Sequence, residues 1–458
     1  MIELSLREVA HAVNGEVAGD PQVVIDQVAT DSRRLPDGKA LFVALPGEHA
    51  DGQDFAAAAV DGGAVAVVAG RHLDVGVPVV VVDDPWVALA RLAAAVRAYV
   101  RPSSVAVTGS VGKTTVKDLA AAAVGAGRRV HAAAGSFNNE LGVPLTLLGL
   151  REDTEVLVAE VGARHVGDIA ALAPALSPDV AVITAVAAVH LEVFGTIDDV
   201  ARGKQELVEA LRPGGMAILN VADPRVAAMA AIAPNVLRVA TDDLDADVHA
   251  REVTLDRYAR ASATAVTPWG EARLRLPVAG RHQVNNALLG LAVAGYLGVD
   301  IEAAAAAMAE ARISPGRGEV FVQDGVTFIN DAYNANPTSV RAALETLVAI
   351  ERTGRTFAVL GVMGEIGPTA EEEHVGIGHR CVELGVDELV VVGDEAQGIA
   401  RGAGEAADIV VRQVPDPEEA AMYVTGALRS GDVLLVKGSK VAGLISLAAT
   451  VAAGRSTT

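Results

Sequence analysis

The sequence predicts an α/β protein of three domains with mostly parallel sheets. Short apolar runs, such as the one at 155–160, alternate with Ala-rich stretches of helical pattern. Such runs are typical of strands buried on both faces, and the stretches between them are typical of crossover helices. Past a break near residue 313, further runs of this type at 356–360, 388–392 and 433–436 indicate a Rossmann-like domain.

Composition narrows the class of protein. No apolar run in the 458 residues approaches the roughly 18 that a membrane span needs, and the first seven residues lack the layout of a signal peptide. We therefore expect a cytoplasmic protein with no membrane span. The net charge of −21 argues against a nucleic-acid-binding surface. Cys381, the only cysteine, has apolar neighbours and is expected in the core.

The first 84 residues are predicted to form a small α/β domain. Apolar runs at 40–45 and 64–68 predict strands, and polar clusters at 30–33 and 47–55 lie in the loops between them. Loops on such a scaffold often carry binding groups. Asp-Ser and Asp-Gly pairs are also common turn formers, so these clusters alone do not decide between the two roles.

A central domain at 85–313 begins with a predicted helix from Pro85 to about Val100, and a third domain is expected at 314–458. Within the central domain, 236–278 is predicted to be an antiparallel addition, and a helix is predicted at 288–297. The last five residues are expected to be frayed.

A candidate phosphate-binding loop follows the β-branched run at 105–108. Glycine-bounded loops between a strand and a helix direct backbone N–H groups at an anion. Lys113 at the end of the loop adds positive charge, and the hydroxyl of Thr114 after it can bind Mg²⁺. Val107 stands where the general nucleotide pattern has a glycine, so a shorter form is present. An ordinary Gly-rich turn is the alternative. The candidate residues are Gly109, Ser110, Val111, Gly112, Lys113, Thr114 and Thr115.

Of three polar residues in the following strands and helices, Glu160 is the one whose position favours metal chemistry. Glu160 ends a predicted buried strand, and ligands in open parallel sheets lie beyond the carboxyl ends of the strands, where Thr114 is also expected. A helix-terminal carboxylate is the alternative for Glu160. A lone histidine such as His190 is more often structural than a ligand. Lys204, on residue pattern alone, is a solvated helix lysine.

Two later stretches are unusually polar. Residues 280–287 place His282 and Asn286 at the start of an Ala/Leu helix, and residues 330–339 form a loop with three asparagines in seven positions. Buried amides need hydrogen-bond partners, so the loop favours ligand contact over helix capping.

Together these stretches resemble the Mur ligases, a family of ATP-dependent amide-forming enzymes that extend the peptide of the peptidoglycan precursor. The resemblance covers nearly the whole chain. The segments at 137–146, 330–337 and 436–440 resemble the branch that adds D-alanyl-D-alanine to UDP-N-acetylmuramoyl-tripeptide. Departures from the family pattern include Gln283 in place of an asparagine and Val362 within a usual Gly-Asp-Met.

The resemblance implies roles for individual residues. Lys113 and Arg317 neutralise the transferred phosphoryl group, and His282, Asn286 and Asp331 contact ATP. Thr114, Glu160, His190 and Lys204 form the metal site, with Lys204 carbamylated and two Mg²⁺ ions expected. The implied substrate-binding residues are Ser32, Arg33, Gly47, Asp51, Gly52, Asn138, Asn139, Tyr333, Asn334, Asn336, Lys437 and Ser439.

The implied reaction runs through an acyl phosphate, to which the amine of D-alanyl-D-alanine then adds. Sister ligases that add a single amino acid, and folylpolyglutamate synthetases, are alternatives within the superfamily. A nucleotide-dependent switch or transport ATPase is an alternative from another class, although no water-positioning residue is identifiable. We expect a monomer, because no heptad pattern stands out.

Overall fold

The computed structural model describes residues 1–404 and 408–455 and shows three parts, each built around its own sheet. The predicted α/β class with mostly parallel strands is confirmed. Residues 456–458, in the tail predicted to be frayed, lie outside the described residues.

The N-terminal part is a five-stranded sheet of order β2-β7-β6-β5-β4, with β1 and β3 paired separately. The β2–β7 pair is antiparallel and the other pairs of the larger sheet are parallel. Its strands are β1 (Leu4–Ser5), β2 (Glu16–Ala18), β3 (Val24–Ile25), β4 (Gln27–Ala29), β5 (Ala40–Val43), β6 (Ala64–Ala69) and β7 (Val79–Val81), and its helices are α1 (Leu6–Val13) and α2 (Ala56–Asp61).

The central part begins with α3 (Pro85–Val100), where Asp84 caps the helix by accepting from Trp86 N at 2.8 Å. A parallel six-stranded sheet of order β13-β12-β11-β8-β10-β9 follows. Its strands are β8 (Ser103–Thr108), β9 (Val130–Ala132), β10 (Val156–Glu160), β11 (Val180–Ile183), β12 (Met216–Asn220) and β13 (Val236–Val239). Its helices are α4 (Lys113–Gly125), α5 (Gly142–Leu148), α6 (Asp168–Leu176), α7 (Leu191–Phe194), α8 (Ile197–Glu209) and α9 (Pro224–Ala228).

The predicted antiparallel addition is present as β14 (His249–Leu255), β15 (Arg260–Thr267) and β16 (Gly270–Ala279). The prediction was wrong for β13, which instead extends the parallel sheet beside β12. Two helices complete this part, α10 (Gln283–Tyr296) and α11 (Ile301–Ala309). A Cβ atom on Gly290 of α10 would lie 3.0 Å from Ala120 N of α4, so the two helices approach closely and the start of α10 lies near the start of α4.

The C-terminal part is a six-stranded sheet of order β17-β18-β22-β19-β20-β21, with β17 as its antiparallel edge. Apolar clusters on both faces are covered by helices, which agrees with the predicted Rossmann-like arrangement. The strands are β17 (Glu319–Gln323), β18 (Val326–Asn330), β19 (Thr356–Gly361), β20 (Glu388–Val392), β21 (Val410–Val414) and β22 (Val433–Lys437). The helices are α12 (Pro337–Ala349), α13 (Ala370–Glu383), α14 (Gln397–Ala403), α15 (Pro417–Ala427) and α16 (Leu447–Arg455).

Two expectations from composition can be compared with this fold. Cys381 lies on α13 in the C-terminal core, fully buried as expected, and burial raises the pKa of its thiol to about 12. Across residues 1–404 and 408–455, no helix combines the length and apolar character that crossing a bilayer requires.

Candidate active site between the central and C-terminal parts

The phosphate loop, residues 109–112, joins β8 to α4 and depends on its two glycines. Gly109 has φ +146° and Gly112 has φ +84°, in a region that side-chain-bearing residues rarely adopt. A Cβ atom on Gly109 would lie 2.0 Å from Thr184 Oγ1, and one on Gly112 would lie 2.7 Å from Asn286 Oδ1. The loop is therefore a tightly enclosed backbone turn with a specific conformation, and an ordinary Gly-rich turn needs no such enclosure.

The segment after β11 forms hydrogen bonds with this loop. Thr184 Oγ1 donates a 2.5 Å hydrogen bond to Val111 O, and Ser110 N donates to Ala185 O at 2.7 Å. The Ser110 hydroxyl donates to Ala187 O at 3.2 Å. Thr184 was not predicted, although its place directly after a buried parallel strand was a usable signal.

Lys113 closes over the loop. Its Nζ donates to Gly109 O at 2.7 Å and to Ser110 O at 3.4 Å, and burial lowers the pKa of the ammonium, while Glu160 opposes that shift. The charge thus lies above the glycine turn, where the sequence predicts a phosphate.

Glu160, at the carboxyl end of β10, meets the first turn of α4. It is 1% exposed, its Oε2 accepts from Thr114 Oγ1 at 2.8 Å, and its Oε1 accepts from Asn138 Nδ2 at 2.6 Å. The predicted closeness of Glu160 and Thr114 is confirmed. Thr115 is buried beside them. A buried carboxylate paired with a hydroxyl supplies the oxygen ligands that Mg²⁺ prefers.

Arg317 of the C-terminal part reaches the same hydroxyl. Its Nη2 donates to Thr114 Oγ1 at 3.1 Å, while its Nε is buried and has no hydrogen-bond partner among the described residues. The guanidinium carbon lies 4.0 Å from the centroid of the Tyr333 ring, and the Tyr333 hydroxyl pairs with Ser136. Ser136 was not predicted, and serine in a loop carries no distinguishing signal.

Lys204, on α8, is buried, so the interpretation as a solvated lysine was wrong. It is 1% exposed, its Nζ donates to Ala163 O at 3.2 Å, and it lies 5.4 Å from the centroid of the Phe194 ring. Burial and then the charge of Lys113 lower the pKa of Lys204 to about 7. A large fraction of this amine is therefore neutral near neutral pH.

His190 has an unusual backbone and a partner from the C-terminal part. Its φ is +54°, and its Nδ1 pairs with Glu365, whose other oxygen accepts from Arg164 Nη2 at 2.6 Å. Burial lowers the pKa of the imidazole, and the Glu365 charge opposes that shift. Neither Glu365 nor Arg164 was predicted, although Glu365 lies in a glycine-rich stretch directly after a strand. The described residues contain no group of three or more His, Cys, Asp or Glu side chains arranged to hold a metal.

Asn286 lies over the loop from the start of α10. Its Nδ2 donates to Gln283 Oε1 at 2.7 Å, so the glutamine that departs from the family pattern still contacts this amide. The neighbouring His282 is exposed, and its side chain lies near Gly280.

The polar loop after β18 is held by Lys437 at the end of β22 and by a helix cap within the loop. Lys437 is 2% exposed, and its Nζ contacts Asp331 Oδ2 at 2.5 Å and Asn334 O at 3.1 Å. Asn336 Oδ1 accepts from Ser339 N at 2.9 Å and caps α12, the role that the sequence analysis ranked second. Buried Ser439 has an Oγ without a partner in the described structure.

Further predicted substrate residues lie elsewhere in the fold. Asn139 Oδ1 accepts from Gly142 N at 2.9 Å and caps the start of α5. In the N-terminal part, Arg33 Nε pairs with Asp31 at 2.9 Å and lowers the pKa of that carboxyl to about 2, next to Ser32. In the loop after β5, Asp51 accepts from Gln53 N at 2.9 Å. This loop also holds Gly47 and Gly52, and a Cβ atom on Gly52 would lie 2.5 Å from Leu45 O.

Fold and site together define an α/β protein whose phosphate loop is completed by residues of a second, Rossmann-like part. Three family models match in order: "Mur ligase family, catalytic domain" at 24–97, "Mur ligase middle domain" at 107–294, and "Mur ligase, glutamate ligase domain" at 316–440. The chain belongs to the Mur ligase family.

Within this family, the chain is similar along nearly its whole length to the following relatives. UDP-N-acetylmuramoyl-tripeptide–D-alanyl-D-alanine ligase of Mycobacterium tuberculosis H37Rv is 42% identical, over 98% of this chain and 97% of the relative. The ligase of that name from Escherichia coli K12 is 35% identical over 88% and 89%. A crystal structure of MurF from Acinetobacter baumannii has a TM-score of 0.89 and 31% identity, covering 99% of both chains. MurF of Thermotoga maritima, solved with ADP, has a TM-score of 0.82 and 28% identity over 94% and 98%.

Proposed function

We propose that the protein joins D-alanyl-D-alanine to UDP-N-acetylmuramoyl-tripeptide in an ATP-dependent reaction that forms an amide bond. The observation that carries the proposal is the shared contact of Arg317 and Glu160 with the Thr114 hydroxyl, which brings charges of both domains to one hydroxyl beside the glycine turn. The relatives with 42% and 35% identity carry the name of this activity. The product is the UDP-pentapeptide precursor of peptidoglycan, made in the cytoplasm.

The residues present fit a bound nucleotide. The glycine turn leaves no room for a Cβ atom, Lys113 covers it, and Arg317 has a buried N–H that finds no partner among the residues the structure describes. A relative of 28% identity was solved with ADP. ATP supplies the phosphoryl group that activates a carboxylate, since a carboxylate cannot expel oxide. The tripeptide carboxylate takes the γ-phosphoryl group with ADP as the leaving group, and the dipeptide amine then displaces inorganic phosphate from the acyl phosphate to form the amide bond.

In the proposal, the chain's own residues position charge and contribute little covalent chemistry. Lys113 and Arg317 neutralise the transferred phosphoryl group. Thr114, Glu160, His190 and Lys204 hold two Mg²⁺ ions, with Lys204 as a carbamate. The pKa of Lys204 of about 7 supports this role, because carbamylation requires a neutral amine.

Domain roles complete the proposal. We assign 1–84 to the UDP-sugar, 85–313 to ATP and 314–458 to the acceptor. Asn286 and Asp331 face the adenosine of ATP beside His282. Asn138, Asn139 and the loop at 333–336 border the peptide substrates, together with Lys437 and Ser439. We expect the protein to act as a monomer.

Phosphate release by the purified protein tests the function. The reaction contains ATP, Mg²⁺ and UDP-N-acetylmuramoyl-tripeptide, with either D-alanyl-D-alanine or single amino acids as acceptor. Release with the dipeptide alone, plus a UDP-pentapeptide by mass spectrometry, supports the proposal. Release with a single amino acid assigns the chain to a sister ligase, and release with no acceptor points to an ATPase.

A further inference from the structure

A carboxylate of the C-terminal part reaches into the candidate metal site of the central part. Glu365 lies in the loop that follows β19, and its Oε2 pairs with His190 Nδ1. Its Oε1 accepts a 2.6 Å hydrogen bond from Arg164 Nη2. One C-terminal side chain therefore holds two side chains of the central part.

The backbone on both sides of this contact is strained. Glu365 has φ +60° and His190 has φ +54°, a left-handed conformation that non-glycine residues adopt at an energetic cost. The loop also packs closely on the turn that it meets, since a Cβ atom on Gly367 would lie 3.3 Å from Glu192 N. Strained residues that persist in a fold cluster at sites where their geometry has a use.

Stability alone gives a weak reason for the contact. The side chains of His190 and Glu365 are 27% and 34% exposed, and partly exposed ion pairs contribute little to the free energy of unfolding. The orientation of the His190 ring gives a stronger reason for the contact. A histidine whose Nδ1 is engaged by a carboxylate presents Nε2 as its free ring nitrogen in a fixed direction.

We propose that Glu365 is a positioning residue for His190, so that contact between the two domains completes the Mg²⁺ site. The inference rests on the proposed function, because it takes His190 as a metal ligand. Glu365 acts through the imidazole and touches no reacting atom. The metal site is then fully formed only when the acceptor domain lies against the central domain.

Three variants test this inference. Glu365→Ala removes the partner of His190. Glu365→Gln keeps its shape without its charge. Glu373→Gln is the matched control, because Glu373 pairs with Arg341 at 2.8 Å within the C-terminal part. The readouts are the Mg²⁺ concentration for half-maximal phosphate release and the Mg²⁺-dependent gain in ADP affinity, measured by calorimetry.

Glu365→Ala is expected to raise the half-saturating Mg²⁺ concentration about 10- to 100-fold, as loss of a metal ligand's hydrogen-bond partner does elsewhere. Glu365→Gln is expected between this variant and the control, and ADP affinity without Mg²⁺ stays unchanged in all three. A merely structural role would lower thermal stability without a selective change in Mg²⁺ dependence.

Mg²⁺ dependence equal to that of Glu373→Gln in both Glu365 variants overturns the inference, and if Glu365→Ala does not fold, Glu365→Gln alone decides it. Adding Glu365→Ala to His190→Ala is expected to have no further effect, whereas additive losses contradict action through His190. Failure of the wild-type protein to form the UDP-pentapeptide would refute the proposed function instead, and the calorimetric readout still tests Glu365.

Discussion

Arg317 Nη2 donates a 3.1 Å hydrogen bond to the Thr114 hydroxyl across 203 residues of sequence. Thr114 in turn donates to Glu160, so a cation of the C-terminal part and an anion of the central part share one hydroxyl. The candidate phosphate site therefore draws side chains from both domains. Five expected outcomes test residues of this candidate site.

Two substitutions of Arg317 distinguish the contribution of its positive charge from that of its planar guanidinium. Arg317→Lys keeps a positive charge but loses the planar group that lies 4.0 Å from the Tyr333 ring centroid. We expect kcat to fall about 100-fold in Arg317→Ala, as for loss of one transition-state donor, and by less in Arg317→Lys. Steady-state phosphate release measures both, with the exposed Arg352→Ala as control. Equal losses in the two variants would show that positive charge without the planar guanidinium contributes nothing at this position.

Lys113→Ala is expected to abolish phosphate release, because the ammonium above the glycine turn is lost. Binding of the UDP-tripeptide, which the proposal assigns to the N-terminal domain, remains measurable by calorimetry. Turnover near the wild-type rate would mean that the phosphate site lies elsewhere.

Gly112→Ala is expected to weaken nucleotide binding and to lower the free energy of unfolding by about 1–3 kcal/mol, because φ is +84° and Asn286 Oδ1 leaves no space for a Cβ atom. Gly125→Ala, at the other end of α4, is the matched control, since a Cβ atom there meets no atom within 4 Å in the part of the chain that the structure describes. The control is expected to retain nucleotide affinity. Chemical denaturation and ADP titration compare the two, and similar effects would count against an enclosed loop.

The lowered pKa of Lys204 leads us to expect a specific pH dependence of the free energy of unfolding. As a free amine, in buffer without bicarbonate, its pKa is about 7 in the folded protein, against 10.5 ordinarily, so the unfolded chain binds more protons between these values. Stability then rises with pH across that window, by about 1.4 kcal/mol per pH unit from this group, and the rise is lost in Lys204→Met. Denaturation at several pH values measures the slope. An unchanged slope in the variant would remove Lys204 as its source.

Activity gives a second test of Lys204. Lys204→Ala is expected to be inactive and to recover in part with small carboxylic acids, which replace a missing carbamate. Full activity without an added acid would exclude Lys204 from the mechanism.

The strands that are buried on both faces could be predicted from the sequence, because their apolar runs are continuous. It did not predict β21, where Val410 is exposed at the sheet edge and the pattern is broken by Arg412 and Gln413. It misassigned β13 for a similar reason, since the exposed Arg238 interrupts the apolar run.

Within the site, the sequence predicted the residues that a local motif marks, such as Lys113 and Thr114. The role of Asn336 was not predicted, because an asparagine that caps a helix and one that contacts a ligand look alike in sequence. Glu365 pairs with His190 across 175 residues, and only tertiary structure brings the two together.

The buried thiol of Cys381 has a practical consequence. With its pKa raised to about 12, it stays protonated and unreactive towards maleimide dyes at neutral pH. Because the chain has one cysteine, a pair of cysteines introduced on exposed surfaces of two domains can be labelled without removing it. Single-molecule fluorescence can then follow the distance between domains in the otherwise native sequence.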